Sequence, residues 1–311
     1  KITLIGAGNN GGTLAHLIMM KELGDIVLLD LNEGVAKGKA LDLYQAAYIE
    51  QKDVKIIGSS NYEAIKDSDV VIITAGIARK PGMKREDLID INSKVIASVA
   101  ENIAKYSPKA FVICITNPLD IMVAVLQQQS KLPPHMVVGM AGVLDSARFA
   151  SFLAEELNIS VKEVETFVLG GHGDSMVPLP NYTTVSGISL NNLIKMGKIT
   201  SAKVDQLIER TKNGGAEVVN LLGTGSAFYA PASSAVAMAE SYLKDQKRIM
   251  PVAAYVENKY GINEALYVGV PVIIGTNGVE KIIEIPLDEE SKNKFKFSIN
   301  SVKELMHGLK K

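Results

Sequence analysis

Lys1-Ile-Thr-Leu-Ile5-Gly6-Ala-Gly8-Asn-Asn10-Gly11-Gly-Thr13-Leu-Ala-His16 opens the chain, and its reading decides the fold. A short apolar run leads into three spaced glycines, and an amphipathic helical pattern follows. In a strand–turn–helix of this kind, Gly6 permits the tight turn, Gly8 lets backbone approach a pyrophosphate, and Gly11 lets helix and strand pack closely. The helix N-terminus adds free N–H groups and positive dipole. Such a glycine turn can also be purely structural. Asp30 strengthens the ligand reading, because it ends the next strand-like run, Ile26–Leu29, about 20 residues beyond Gly11. An acid there accepts hydrogen bonds from ribose hydroxyls and repels a 2′-phosphate, which favours NAD over NADP. Asp30 could equally be a turn residue, since Asn32-Glu-Gly34 follow it.

Outward from this unit, strand-like runs at 54–58, 70–75, 110–115 and 137–138 alternate with helical patterns at 35–48, 87–105 and 119–129. Near-continuous apolar strands between helices indicate a parallel sheet covered on both faces. The expectation is an α/β chain: a doubly wound (Rossmann) parallel sheet over residues 1–143, then a mixed α+β substrate domain over 144–311. The second half shows helical patterns at 145–157, 201–222 and 233–243, and strand-like runs at 165–169, 250–256 and 267–274. A polar, Lys/Glu-rich helix closes it.

Bulk properties exclude several classes. Of the 311 residues, 47% are hydrophobic and 22% charged, and the formal net charge is −1, which gives no electrostatic footprint for nucleic acid or an anionic membrane. No apolar run reaches the ~18 residues that span a bilayer. One cysteine, Cys114, excludes a disulfide framework and a multi-cysteine metal site. The expectation is a soluble, cytoplasmic protein with no signal-peptide pattern. The abrupt start in a strand suggests a few further leading residues.

Four histidines occur: His16 in the first helix, His135 after Pro133-Pro134, His307 near the end, and His172. His172 differs, because it stands in Gly170-Gly-His-Gly-Asp174, a glycine-rich segment just past a strand. Asp145 and Arg148 lie three apart at the start of a helix, which puts them on one face. They form either an ordinary helical ion pair or a working unit, with Asp145 holding the imidazole of His172 in one tautomer and Arg148 gripping a substrate carboxylate. Arginine usage favours the second. The chain carries five arginines (Arg79, Arg85, Arg148, Arg210, Arg248), and three fall in suspected site segments. Guanidinium suits planar, bidentate carboxylate recognition. Residues 76–88, holding Arg79 and Arg85, form a Gly/Pro-punctuated segment that reads either as a lid or as a basic surface loop. Asn117, after the fifth strand, could bond the nicotinamide ribose or the reacting oxygen, or could simply shape the turn before Pro118.

The succession Gly-x-Gly-x-x-Gly, strand-end Asp30, Arg79-Lys-Pro-Gly-x-x-Arg85, Thr116-Asn-Pro118, Leu144-Asp-x-x-Arg148 and Gly170-Gly-His-Gly-Asp174 resembles the lactate/malate dehydrogenase family. It is most similar to the lactate-dehydrogenase-like malate dehydrogenases, over essentially the whole chain. The resemblance implies reversible hydride transfer between NAD and malate or oxaloacetate, a step of the tricarboxylic acid cycle. It implies His172 as acid–base residue, Asp145 as its orienting partner, and Arg148 on the C1 carboxylate. Arg85 would polarise the carbonyl with help from Asn117. Arg79 would hold the position that separates malate enzymes from lactate enzymes, which carry Gln there, and Ala227 would leave room for a second carboxylate. The implied cofactor set is Gly6, Gly8, Asn10, Gly11, Asp30, Asn92 and Asn117, with no metal and no macromolecular partner beyond a homotetramer or, alternatively, a homodimer. Asn10 departs from the family pattern, which has an apolar residue there. The competing readings are a lactate or other 2-hydroxy acid dehydrogenase, a metal-dependent NAD glycosidase on a related fold, and a dinucleotide-binding scaffold without activity.

Overall fold

A computed structural model describes residues 1–77 and 85–308, with backbone alone at 85, 307 and 308. The first half runs β1 (Ile2–Ile5), α1 (Asn9–Met20), β2 (Ile26–Leu29), α2 (Glu33–Ile49), β3 (Ile56–Ser59), β4 (Val70–Ile73), α3 (Arg85–Tyr106), β5 (Phe111–Cys114), α4 (Leu119–Ser130) and β6 (Val137–Gly139). These strands are parallel and stand in the order β3-β2-β1-β4-β5-β6. The direction of winding reverses between β1 and β4, and a crevice opens beyond their carboxyl ends.

Burial on both faces explains the unbroken apolar strands. Ile2 and Leu4 of β1, Val70 and Ile72 of β4, and Phe111 and Ile113 of β5 enter one core together with Leu14, Ile18 and Met19 of α1. The intervening Ile5, Val71, Ile73, Val112 and Cys114 enter the opposite core with Ile96, Val99 and Ile103 of α3 and the apolar residues of α4. Fully burying each such side chain contributes about 1.5–3 kcal/mol. Thr3, the polar exception in β1, satisfies its hydroxyl on Ser68 Oγ at 2.7 Å.

The second half runs α5 (Gly142–Leu157), β7 (Val164–Glu165), β8 (Val168–Leu169), β9 (Val177–Pro178), β10 (Thr184–Val185), β11 (Ile188–Ser189), α6 (Leu190–Lys195), α7 (Ser201–Leu222), α8 (Tyr229–Leu243), β12 (Arg248–Val256), β13 (Leu266–Gly275), β14 (Gly278–Ile282) and α9 (Glu289–Gly308). Its long strands do not build a separate layer. β12 runs antiparallel to β6, with Ala253 opposite Gly139, and β13 and β14 continue outward to make a nine-stranded sheet. Tyr242 of α8 stacks on Phe111 of β5, centroids 4.7 Å apart, so the second half also roofs the parallel sheet.

The second half departs from the expectation, which placed no element at β9, β10, β11 or α6. The single strand expected over 165–169 is divided. β7 joins β10, while β8 pairs with β9 in another small sheet. The break falls where Thr166 turns its hydroxyl to Thr183 Oγ1 at 2.7 Å and the Val168 N–H goes to Ser146 Oγ at 3.0 Å. β14 was not expected either, although a turn signal was present: Thr276-Asn277 forms a two-residue loop between the paired Gly275 and Gly278, and Gly278 stands at φ +79°.

Candidate active site

The glycine turn has the geometry its spacing implies. Gly6 sits at φ +106°, and a Cβ there would stand 2.5 Å from Thr74 Oγ1. A Cβ on Gly11 would stand 1.9 Å from the Gly6 carbonyl oxygen, so helix and turn are in direct contact. A Cβ on Gly8 would meet nothing within 4 Å, so the backbone there faces open space at the start of α1. Asp30 is a turn residue that also stands on the cleft wall. Its Oδ2 accepts the Ala7 N–H at 2.7 Å and its Oδ1 accepts the Asn32 N–H at 2.9 Å, which ties the glycine turn to the end of β2. It also lines the cleft, and each carboxylate oxygen keeps a free lone pair for a ribose hydroxyl.

The cleft has a volume of about 1820 Å³ and runs from Asp30 past Gly8 and Asn117 to Arg148 and His172. A pocket for one small molecule spans about 300–1,000 Å³, so this one accommodates an extended dinucleotide and a small acid together. Open backbone at a helix N-terminus, an acid at the second strand end and a long crevice fit NAD. Asn10 borders the cleft too, with its Oδ1 buried and without a hydrogen-bond partner among the described residues. Asn92 behaves otherwise than expected. It is fully buried, its Oδ1 accepts the Ile77 N–H, and its amide donates to Ile77 O and to Asn117 O at 2.7 Å. With its amide engaged by backbone, it braces the two loops that border the cleft.

At the other end, Gly170 exchanges backbone hydrogen bonds with Gly269 of β13, at 2.9 and 3.0 Å. A Cβ on Gly269 would stand 2.5 Å from Gly170 O, so only glycine allows that approach. The turn so anchored carries His172 to α5. His172 Nδ1 lies 2.8 Å from Asp145 Oδ2, and Arg148 Nη1 donates to Asp145 Oδ1 at 3.2 Å. Asp145 is 2% exposed. The helical ion pair and the histidine partnership are therefore one arrangement around one carboxylate. Burial pushes the imidazolium of His172 down, but the charge and hydrogen bond of Asp145 and the charge of Asp120 outweigh burial and Arg148, so its pKa lies above the ordinary histidine value. The folded chain thus holds this proton more tightly than the unfolded chain. The interaction stabilises the fold below about pH 6.5 and fades as pH rises through the raised value.

Sequence reasoning missed four residues. Gly214 and Gly215 of α7 make room for the arginine: a Cβ on Gly214 would stand 3.0 Å from Arg148 Cδ. Two adjacent glycines inside a helical pattern were the available signal. Asp120, in an otherwise apolar stretch of α4, accepts the His172 backbone N–H at 2.8 Å. Ser298 of α9 accepts the Gly171 N–H at 2.8 Å and had no signal at all. Ala227 and Asn117 border the same cleft as Arg148 and His172. Arg79 and the side chain of Arg85 lie outside the described residues. Of the other histidines, His16 is exposed on α1, and His135 lies in a short 3-10 turn. Cys114 is buried in β5, where desolvation pushes its thiol up to about 12. Among the described residues no helix is long and apolar enough to cross a membrane.

Two family models match the chain: lactate/malate dehydrogenase, NAD binding domain, over residues 1–139, and lactate/malate dehydrogenase, alpha/beta C-terminal domain, over residues 142–311. The chain is 49% identical to the malate dehydrogenase of Cryptosporidium parvum, with a TM-score of 0.97 over 99% of this chain and 98% of that one. It is 44% identical to the lactate dehydrogenase of the same organism, solved with lactic acid and β-nicotinamide adenine dinucleotide, with a TM-score of 0.96 over 99% and 97%. The lactate dehydrogenase of Eimeria maxima, solved with NADH and oxamate, is also 44% identical, with a TM-score of 0.95 over 99% and 93%. Malate and lactate enzymes thus stand at similar distance, and the shared cofactor is NAD.

The two glycines separate binding from folding. Gly8→Ala should leave thermal unfolding unchanged while weakening NADH binding roughly tenfold or more, about 1.4 kcal/mol. Gly11→Ala should lower stability by about 1–3 kcal/mol or more through the overlap with Gly6. Thermal unfolding and NADH fluorescence titration measure both, and wild-type NADH affinity in Gly8→Ala would show that no phosphate approaches that backbone.

Proposed function

The chain belongs to the lactate/malate dehydrogenase family, and we propose that within it the protein is a malate dehydrogenase, interconverting malate and oxaloacetate. The observation that carries the chemistry is the Asp145-centred pairing of His172 and Arg148 at one end of the NAD cleft. The substrate reading rests on Arg79 in the sequence after β4 and on small Ala227 bordering the cleft.

Arg148 binds the C1 carboxylate, held in place by Asp145 and by the space above Gly214. His172 then faces the C2 oxygen. In malate oxidation its free ring nitrogen takes the hydroxyl proton, and Asp145 stabilises the imidazolium that results. When bound, NAD+ would supply the two-electron acceptor for hydride from C2, and NADH would supply the donor in the reverse direction. In oxaloacetate reduction, protonated His172 donates to the carbonyl oxygen. Asn117 and Arg85 assist at that oxygen, and Arg79 pairs with the second carboxylate. By the same reading the assembly is a homotetramer, or else a homodimer, in the cytoplasm. Sedimentation measures the first point and fractionation the second.

The alternative is a lactate dehydrogenase, which the 44% identity to such enzymes keeps in play. Charge decides between them. A closed site holding Arg79 opposite a monocarboxylate buries an unpaired cation, at a cost of about 3–5 kcal/mol. NADH oxidation measured in parallel should therefore give kcat/KM for oxaloacetate roughly 10²–10⁴ above that for pyruvate. Arg79→Gln should narrow that ratio sharply; an unchanged ratio moves selectivity to another residue.

His172 has its own test. His172→Asn should lower kcat at least about 10²-fold and leave NADH affinity nearly intact. Because the histidine pKa is raised, malate oxidation should climb with pH through a midpoint above about 6.5, and oxaloacetate reduction should decline across the same limb. Profiles that are flat from pH 6 to 9 would reject His172 as the proton carrier.

A further inference from the structure

Asp120 is the second residue of α4 and the charged member of Leu119-Asp-Ile-Met-Val-Ala-Val-Leu126. It is 6% exposed, so a carboxylate has been placed where the helix otherwise packs hydrocarbon. Its position in the first helical turn gives it favourable helix dipole. One oxygen, Oδ2, accepts the backbone N–H of His172 at 2.8 Å, and the other, Oδ1, is buried without a hydrogen-bond partner among the described residues. The preceding N–H, that of Gly171, goes to Ser298 Oγ of α9 at 2.8 Å. Two consecutive main-chain donors of the glycine-rich turn are thus anchored on two different helices, while the ring is held from a third by Asp145. Asp120 also follows Asn117 by three residues, so the segment that presents Asn117 to the cleft also grips the histidine.

We propose that Asp120 is a positioning residue for proton transfer: through the main chain of His172 it sets the ring's place against the Asn117 loop, and its charge favours the protonated ring. This rests on the reading of His172 as the acid–base residue. The ring is faced by Asp145 and Arg148 of α5 and by Asp120 of α4; Asp174 of its own turn and Lys212 of α7 border the same cleft, and the anchor from α9 is the neutral Ser298. Desolvation, against the charge and hydrogen bond of His172, raises Asp120 to about 6, so above neutral pH it contributes a second negative charge beside the imidazole.

Asp120→Asn keeps an acceptor for the His172 N–H and removes the charge. The expected result is a His172-dependent limb of kcat/KM displaced to lower pH by about half a unit or more. It should come with a kcat lowered about tenfold and a KM for oxaloacetate within about threefold of wild type. Asp120→Ala removes charge and acceptor together and should lower kcat further. If Asp120→Asn binds NADH normally and its pH limb coincides with that of wild type, Asp120 only packs, and the inference is overturned. Should both variants fail to fold, the wild-type protein with labelled histidine decides by NMR. The His172 ring resonances should shift in two steps, one near pH 6 from Asp120 and one higher from the ring itself; a single step overturns the inference. Turnover surviving in His172→Asn would instead reject the acid–base reading on which it stands.

Discussion

One buried carboxylate organises the catalytic end of the cleft. Asp145 is 2% exposed and divides its two oxygens between the His172 ring and the Arg148 guanidinium. An ion taken out of water costs several kcal/mol unless its partners replace the lost hydration. Neither the histidine nor the arginine can therefore be lost without stranding the acid. That requirement links the guanidinium proposed to bind substrate and the imidazole proposed to carry the proton into one unit around a single carboxylate.

The surrounding fold exists to deliver these three side chains to one place. Gly142 starts α5 so close to the neighbouring chain that an added Cβ would stand 2.6 Å from Val168 O. The Gly170–Gly269 contact brings the histidine turn down onto β13. β13 is itself joined through β12 to β6, so the turn is tied to the sheet whose strand ends form the NAD cleft. On the proposed function, proton transfer at the C2 oxygen and hydride transfer at C2 would share this one frame, as reaction at adjacent atoms requires.

At the cofactor end the same economy appears. Asp30 is both a brace and a wall of the cleft, since two backbone N–H groups occupy one lone pair on each oxygen and leave the others open. Asn92 shows the converse: a residue expected at the cofactor instead holds Ile77 and Asn117 in register from behind.

Much of this was legible in the chain itself. Strand and helix periods, the glycine spacing after β1, and the acid at the end of β2 are local patterns, set by sterics and burial within one strand–turn–helix, and they predicted the parallel sheet and its crevice. The pairing of Asp145 with Arg148 was readable for the same reason, three residues apart on one helix. Nothing local tells His172 which acid it will meet. Asp145 lies 27 residues away, Asp120 lies 52 away, and Ser298, which holds the adjacent N–H, lies 127 from Gly171. Those contacts exist only because α4, α5 and α9 converge on the glycine-rich turn, and the division of residues 164–169 between two small sheets was equally a matter of which partners the finished packing placed alongside. Residue type and spacing determined the chemistry available to this protein; tertiary packing decided which groups share it, because distances between segments far apart in sequence are fixed by the core and not by the chain.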